Sequence, residues 1–437
     1  MSDAPNRTIP DQARVHTTDL GEYVAASPSS YHAAAEGARR LESAGFRRQA
    51  EQDAWDGQPG GHYLVRDGAL VAWWIPKQSS KTTPYRVIGS HTDGTGFKLK
   101  PRPTTESAGW VQVGLEVYGG PLLNSWLDRD LGLAGRLVDR DGGVTLVRTG
   151  PVMRIPQLAI HLDRSVNDNG VKLDKQRHTQ PIWAVGSSAD HDVLGYLAET
   201  AGVAADQIDG YDVAAFDTAA PAYFGATEEF FASTRLDNLS SVHASLTALT
   251  DAAADGRLDG DSISVMAAFD HEEIGSETRS GACGPLLQDV LARISAALDA
   301  SVDDFGRALA GSLCLSADAG HAVHPNYAER HDPANRPIVN AGPLLKINAN
   351  QRYATDAVGA GIWHRACRDA GVPTQEFVSN NTVPCGSTIG PLTATRLGII
   401  TVDVGVPLLS MHSAREMCGT ADPYYLSRAV GSFLAGA

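Results

Sequence analysis

Apolar and polar positions along the chain follow two patterns. Apolar residues recur at helical spacing in YHAAAEGARRLESAGF, which begins at Tyr31, and in ATDAVGAGIWHRACRDAG. LDNLSSVHASLTAL places Leu236, Leu239, Val242, Leu246 and Leu249 on one face, which predicts an amphipathic helix. The other pattern is a short β-prone run that stops abruptly at acidic, His or Gly residues. PYRVIGSHTDG, SISVMAAFDHEEIGS, GSLCLSADAGHA and GIITVDVGVPLLSMHS all have that form. YLVRDGALVAWWIP adds two β-rich runs around Asp67-Gly68, the signal of a hairpin.

Strands alternating with helices predict an α/β core with a largely parallel sheet. In open sheets of that class ligands bind beyond the carboxyl ends of the strands, where the polar residues fall here. Residues 101–230 read differently: WVQVGLEVYGG, AGRLVDRDGGVTLVRTG and PQLAIHLDRS are short strand-like runs with Gly turns and little helical text. They predict a β-rich insertion into the α/β core. The first stretch, about residues 1–20, reads as a polar arm.

Composition narrows the function. The 437 residues carry 36 Lys+Arg against 51 Asp+Glu, a net charge of −15, which argues against a nucleic-acid-binding surface. Cys283, Cys314, Cys367, Cys385 and Cys418 lie far apart without a CxxC pair, as expected of reduced thiols. The N-terminus lacks the apolar core of a secretory signal, and no run reaches the ~18 apolar residues of a membrane span. The expectation is a soluble, cytoplasmic protein without nucleic-acid or membrane partners.

The strand ends supply His91 with Asp93, Glu272-Glu273, Asp318 and His412, and Asp237 stands at a helix start. Taken singly, each has an ordinary explanation: a loop histidine, a helix cap, acidic residues at a helix N-terminus. Together they suit divalent zinc, manganese or cobalt, and the surplus of ligands fits two metals sharing a carboxylate better than one tetrahedral site. Asp93, two residues beyond His91 on extended backbone, can reach the other ring nitrogen. Glu272 and Glu273 divide into one ligand and one base, and spacing alone does not say which. Other features carry less. GSHTDGTG and PCGSTIGP match no nucleotide-binding pattern, no nucleophile elbow surrounds Ser387 or Cys385, and Lys98, Lys100 and Arg102 read as a solvated basic edge.

Nine ordered blocks then become specific: SHTDGTGFKLKP, LDRDLGLAGR, RIPQLAIHLDR, TRLDNLSS, FDHEEIGSETRSGA, SADAGHAVHPNY, KINANQRYAT, PCGSTIGP and SMHSAREMCG. Through them the chain resembles the M18 family of metallo-aminopeptidases, the aspartyl aminopeptidases. The resemblance implies an α/β/α sandwich with a mixed central sheet in two parts, residues 1–100 and 231–437, with a β-rich dimerisation domain inserted at 101–230. It implies a homo-oligomer, a tetrahedral dodecamer with sites facing an inner chamber. It also implies two divalent metal ions per subunit, zinc first and manganese or cobalt as alternatives.

Carried onto this sequence, the match gives His91 and Asp318 to one metal, Glu273 and His412 to the other, and Asp237 to both. Glu272 becomes the general base and Asp93 the support of His91. His161 would reach a neighbouring subunit's site. Lys346, with Tyr353 and His321 nearby, would line the pocket for an acidic N-terminal side chain, because a buried carboxylate needs a cation or several donors. Taken alone, Lys346 reads as a surface lysine with its stem packed on the sheet.

The implied reaction is removal of an N-terminal Asp or Glu from peptides with a free α-amine. Members of the family that prefer neutral apolar residues keep a second specificity open. Two further readings compete: a related deacylase or carboxypeptidase, and a tetrahedral scaffold or cargo protein with secondary peptidase activity. The chain departs from the family pattern after HTD, where it has GTGFKLK, and at His271, which replaces the usual Asn and is a candidate modulator of pH response.

Overall fold

A computed structural model describes residues 9–437. Its centre is a nine-stranded sheet in the order Arg47–Arg48, Gly60–Arg66, Ala69–Ile75, Ile263–Phe269, Tyr85–His91, Leu313–Ala317, Ile400–Gly405, Leu344–Ile347 and Gln375–Val378. The four strands from Ile263–Phe269 to Ile400–Gly405 run parallel. Antiparallel pairings flank them and the outermost pair at each edge is parallel again, so the sheet is mixed with parallel pairings in the majority, as expected. Gly60–Arg66 and Ala69–Ile75 form the hairpin expected around Asp67-Gly68, with Arg66 opposite Ala69 and Asp67 at φ 56°. A Cβ at position 68 would stand 2.3 Å from Asp270 Oδ2 and 2.5 Å from Ser30 Oγ, so glycine there lets both side chains pack against the turn.

Strand periodicity separates two cores. Leu70, Ala72, Ile88, Met266, Ala268, Leu315 and Val402 face one layer of helices, which includes Leu20, Leu41, Leu239, Trp363 and Leu426. The alternate residues Val71, Trp73, Val87, Val265, Ala267 and Cys314 face Leu286, Val290, Ile294 and Ile389 on the other side. Every residue of Ile263–Phe269 is buried, as a strand covered on both faces requires.

The expected polar arm is corrected in part. Residues 1–8 lie outside the described residues, but Asp11–Ala26 is a helix with Ala13, Leu20, Tyr23 and Val24 buried. It packs on the helix Asp422–Leu434, and its contact face includes polar residues, with Thr17 donating its hydroxyl to Thr420 O at 2.8 Å. That polar face hid the helix from a reading of apolar periodicity.

A six-stranded antiparallel sheet is built between Tyr85–His91 and Ile263–Phe269. Its order is Val144–Arg148, Leu131–Asp139, Ile208–Asp217, Gly96–Ser107, Trp110–Tyr118 and Ile182–Val185. It has its own core of Phe97, Leu115, Trp126, Leu133 and Val213, with a covering helix Val193–Ala201. The strand Gly96–Ser107 runs across residue 101. A third sheet of five short strands includes Phe230–Ser233, Glu416–Gly419 and Pro407–Leu409 and carries the chain segments around residues 234 and 412. Among the described residues no helix is long and apolar enough to cross a membrane.

Candidate active site

The carboxyl ends of the central parallel strands converge on one place. His91 ends its strand, Asp318 follows Leu313–Ala317, and Glu272 and Glu273 follow Ile263–Phe269 in a single helical turn. Asp237 enters from the first turn of Leu236–Ala254, at a cis Asp237–Asn238 peptide, and His412 from the loop after Pro407–Leu409.

The side chains meet at short range. His91 Nε2 lies 3.3 Å from Asp237 Oδ1, 3.6 Å from Asp318 Oδ1 and 3.9 Å from Glu272 Oε2. His412 Nε2 lies 3.5 Å from Asp237 Oδ2 and 3.3 Å from Glu273 Oε2. The two oxygens of Asp237 therefore face different imidazoles. One donor atom each from His91, Asp237 and Glu273 fall within 4.8 Å of one another.

Asp93 lies beneath this cluster, with Oδ1 3.3 Å from His91 Nδ1. It also accepts the backbone N–H groups of Glu272 at 3.0 Å and Glu273 at 3.1 Å and the Tyr118 hydroxyl at 2.8 Å. Glu416 accepts the backbone N–H groups of Asp237 and His412. Tyr118 and Glu416 were not singled out from sequence. Tyr118 ends an ordinary β-rich run, and Glu416 lies four residues beyond His412 with no pattern of its own.

The electrostatics are those of crowded, buried carboxylates. Burial pushes Glu272 up to about 7, with Asp318, Asp237 and Asp93 adding to the rise against an opposing His91. Burial followed by the Asp237 charge also raises Glu273. Burial opposes the charge on Asp237, but His412 and His91 outweigh it and hold the group below the usual carboxylate range. Burial opposes the charge on His412 as well, yet Asp237 and Glu273 carry it up to about 10.

Negative charge is thus in excess, and the buried atoms Asp237 Oδ1 and Glu273 Oε1 accept no hydrogen bond. Buried acceptors without donors are costly, and cations at this position would satisfy them. The donor set of two imidazoles and several carboxylates fits zinc or a similar divalent ion. His271 points its Nδ1 at Thr278 Oγ1, 3.0 Å away, and its Nε2 lies 3.7 Å from Asp270 Oδ2.

Beside the cluster, His321, Arg330, His331, Tyr353, Phe377 and Cys385 line a pocket. Lys346 is only 2% exposed, which overturns the reading of it as a surface lysine. Its Nζ donates to Ala319 O at 2.6 Å, lies 3.8 Å from Asp318 Oδ2 and sits 5.3 Å from the Tyr353 ring centroid. His161 is not part of this assembly within one chain. It lies on an exposed segment with Leu158, Ile160 and Leu162, which are 59%, 45% and 74% exposed. Of the basic edge, Lys98 is in fact paired, 2.6 Å from Asp212.

Comparison with known proteins extends over nearly the whole chain. The family model described as aminopeptidase I zinc metalloprotease (M18) matches residues 23–434. A probable M18 family aminopeptidase 2 of Streptomyces coelicolor is 54% identical over 423 residues, 96% of this chain and 98% of that protein. The cryo-EM structure of the Ape4 and Nbr1 complex superposes with a TM-score of 0.93 at 34% identity, covering 98% of this chain and 87% of that one. The mApe1 dodecamer of S. cerevisiae gives a TM-score of 0.85 at 29% identity, covering 97% of both chains.

Proposed function

The chain belongs to the M18 family of zinc metalloprotease aminopeptidases, and on that premise we propose that it removes N-terminal Asp or Glu from peptides at a dinuclear metal site. The observation that carries the dinuclear reading is the Asp237 carboxylate, with Oδ1 3.3 Å from His91 Nε2 and Oδ2 3.5 Å from His412 Nε2. His91 and Asp318 would hold one ion, Glu273 and His412 the other, and Asp237 both. Zinc is the first choice for each, with manganese or cobalt as alternatives. When bound, such ions acidify water and polarise a carbonyl.

The protein's own part is proton handling and orientation. Glu272, partly buried with a carboxylate oxygen 3.9 Å from His91 Nε2 and outside the proposed donor pairs, is placed to accept a proton from water and return it to the leaving amine. Asp93 orients His91 through its Nδ1 and anchors the Glu272–Glu273 turn by two amide hydrogen bonds. Lys346, buried beside Tyr353 and near His321, is the cation that would recognise an acidic first side chain. One observation favours neutral residues instead: Lys346 is already engaged by Ala319 O and Asp318.

The reading extends to assembly. Residues 101–230 would be the dimerisation domain within a catalytic domain of 1–100 and 231–437. The exposed Leu158–Leu162 segment would carry His161 into a second copy's site, in a dodecamer like that of the yeast relative. Five unpaired cysteines support a reducing, cytoplasmic setting.

The test is amine release from Asp-, Glu-, Leu-, Lys- and N-acetyl-Asp chromogenic substrates, with protein as isolated, chelated and metal-restored. Metal-dependent cleavage led by Asp and Glu, and none of the acetylated compound, is expected. Cleavage led by Leu would overturn the acidic pocket, and inactivity on every free-amine substrate would overturn the peptidase reading.

A further inference from the structure

The inserted sheet sends one segment into the active site. Trp110–Tyr118 ends beside the cluster of His91, Asp237, Glu273 and His412, and the chain continues through Gly119, Gly120 and Pro121 to Leu122. Four contacts tie this short stretch to both halves of the site. The Tyr118 hydroxyl donates to Asp93 Oδ2 at 2.8 Å. Gly119 has φ +69°, and a Cβ there would stand 3.1 Å from Glu273 O and 3.2 Å from Glu273 Cβ. Gly120 O lies 3.1 Å from His412 Nδ1, and Leu122 N–H donates to His412 O at 2.9 Å.

A metal-binding histidine needs a partner on its second nitrogen, because that hydrogen bond selects the tautomer and fixes the ring. For His91 the partner is Asp93, whose backbone carbonyl lies 3.2 Å from Nδ1 and whose carboxylate lies 3.3 Å from it, and that carboxylate is itself held by Tyr118. For His412 the partner is Gly120 O, which accepts a hydrogen bond from Nδ1–H and leaves Nε2 facing Glu273 and Asp237. Both imidazoles are therefore oriented, directly or through one carboxylate, by neighbouring residues of the inserted sheet. Asp93 also carries the Glu272 and Glu273 amides, so the same hold reaches the base.

We propose that Tyr118–Leu122 is a positioning strap for the metal-binding residues, so that the inserted sheet is part of the catalytic apparatus as well as a candidate contact between copies. Tyr118 acts through Asp93 as a positioning residue, whereas glycine suits position 119 because its φ is positive and a Cβ would press on Glu273 and Thr95. The proposal rests on the metallopeptidase reading, and its test includes a measurement that does not depend on turnover.

Zinc affinity is measured by competition with a chromophoric chelator for the parent full-length protein, Tyr118→Phe and Gly119→Ala. Melting temperature, kcat and KM on the best free-amine substrate are measured in parallel. Tyr118→Phe is expected to bind zinc about tenfold more weakly and to lose about tenfold in kcat, with KM and melting temperature close to the parent's. Gly119→Ala is expected to lose more of both, and if it fails to fold the Tyr118→Phe result decides. Zinc affinity and kcat both within about twofold of the parent in Tyr118→Phe would overturn the strap, since outer partners of ligands ordinarily cost more than that. A parent that binds zinc but cleaves nothing, with weaker zinc binding in Tyr118→Phe, would overturn the peptidase reading and leave the strap standing. A parent that binds no zinc would overturn both.

Discussion

Glu416 Oε2 accepts the backbone N–H of Asp237 at 2.8 Å, so the residue between the two imidazoles is fixed through its main chain as well as its side chain. The other oxygen accepts the His412 N–H at 2.7 Å, and the carboxylate is buried. Replacing it with glutamine turns one acceptor into an N–H₂ group that faces a backbone donor. Glu416→Gln is expected to lower kcat/KM about 10–100-fold and to weaken zinc binding, because both depend on the placement of Asp237 and His412. Steady-state kinetics with chelator competition checks this, and parent-like values in both would remove Glu416 from the site.

Glu272 stands within 3.9 Å of His91 but outside the proposed pairs of metal donors. Glu272→Gln keeps its size and removes its capacity to accept a proton. The expected result is a fall in kcat of about 10²–10⁴-fold with zinc binding retained. Loss of zinc in proportion to activity would instead make Glu272 a ligand.

Lys346 separates acidic from neutral first residues if its charge reaches the substrate. Lys346→Met preserves the apolar stem and removes the ammonium group. On the acidic reading, kcat/KM for the Asp substrate falls about 10–100-fold, the worth of a hydrogen bond to a charged group, while the Leu substrate changes little. Equal losses on both substrates would assign Lys346 to holding Ala319 and Asp318 in place.

Away from the site, His16 and His243 pack edge to face with ring centroids 4.7 Å apart, and His243 Nε2 lies 2.7 Å from Asp19 Oδ2. Burial, then the neighbouring His243, holds His16 well below the usual histidine range, and burial lowers His243 despite Asp19. The unfolded chain therefore takes up protons below about 6.5 that the folded chain refuses. Stability from this pair is fully present above that pH and is lost as pH falls toward the folded values. Urea midpoints of the zinc-loaded protein should drop between pH 7.5 and 5.5, and the drop should shrink in His16→Phe. An unchanged drop would place the acid sensitivity elsewhere.

The convergence of the strand-end residues was legible because strands that end at one edge of a parallel sheet bring their next residues together whatever their separation in sequence. His91, Glu272–Glu273 and Asp318 follow neighbouring parallel strands in this way. The Asp67-Gly68 hairpin was legible from local turn chemistry, and the helix from Leu236 from its apolar face. What escaped depended on partners that no local pattern encodes. The helix Asp11–Ala26 buries polar residues such as His16 and Thr17, so periodicity did not mark it. Lysine is normally a surface residue, and only the crossing of Leu344–Ile347 through the sheet buries Lys346. Tyr118 and Glu416 act by hydrogen bonds across sheets, and nothing in their own segments announces the acceptor or the donors.

The order in which the chain supplies the proposed donors has a consequence for its synthesis. His91, Asp237, Glu273 and Asp318 are made long before His412, and Glu416, which holds two of them by the backbone, follows later still. A nascent chain emerging from the ribosome cannot assemble the full set until residue 412 is out, however well its earlier strands have paired. The growing polypeptide therefore lacks the complete proposed donor set until its C-terminal residues have begun to pack.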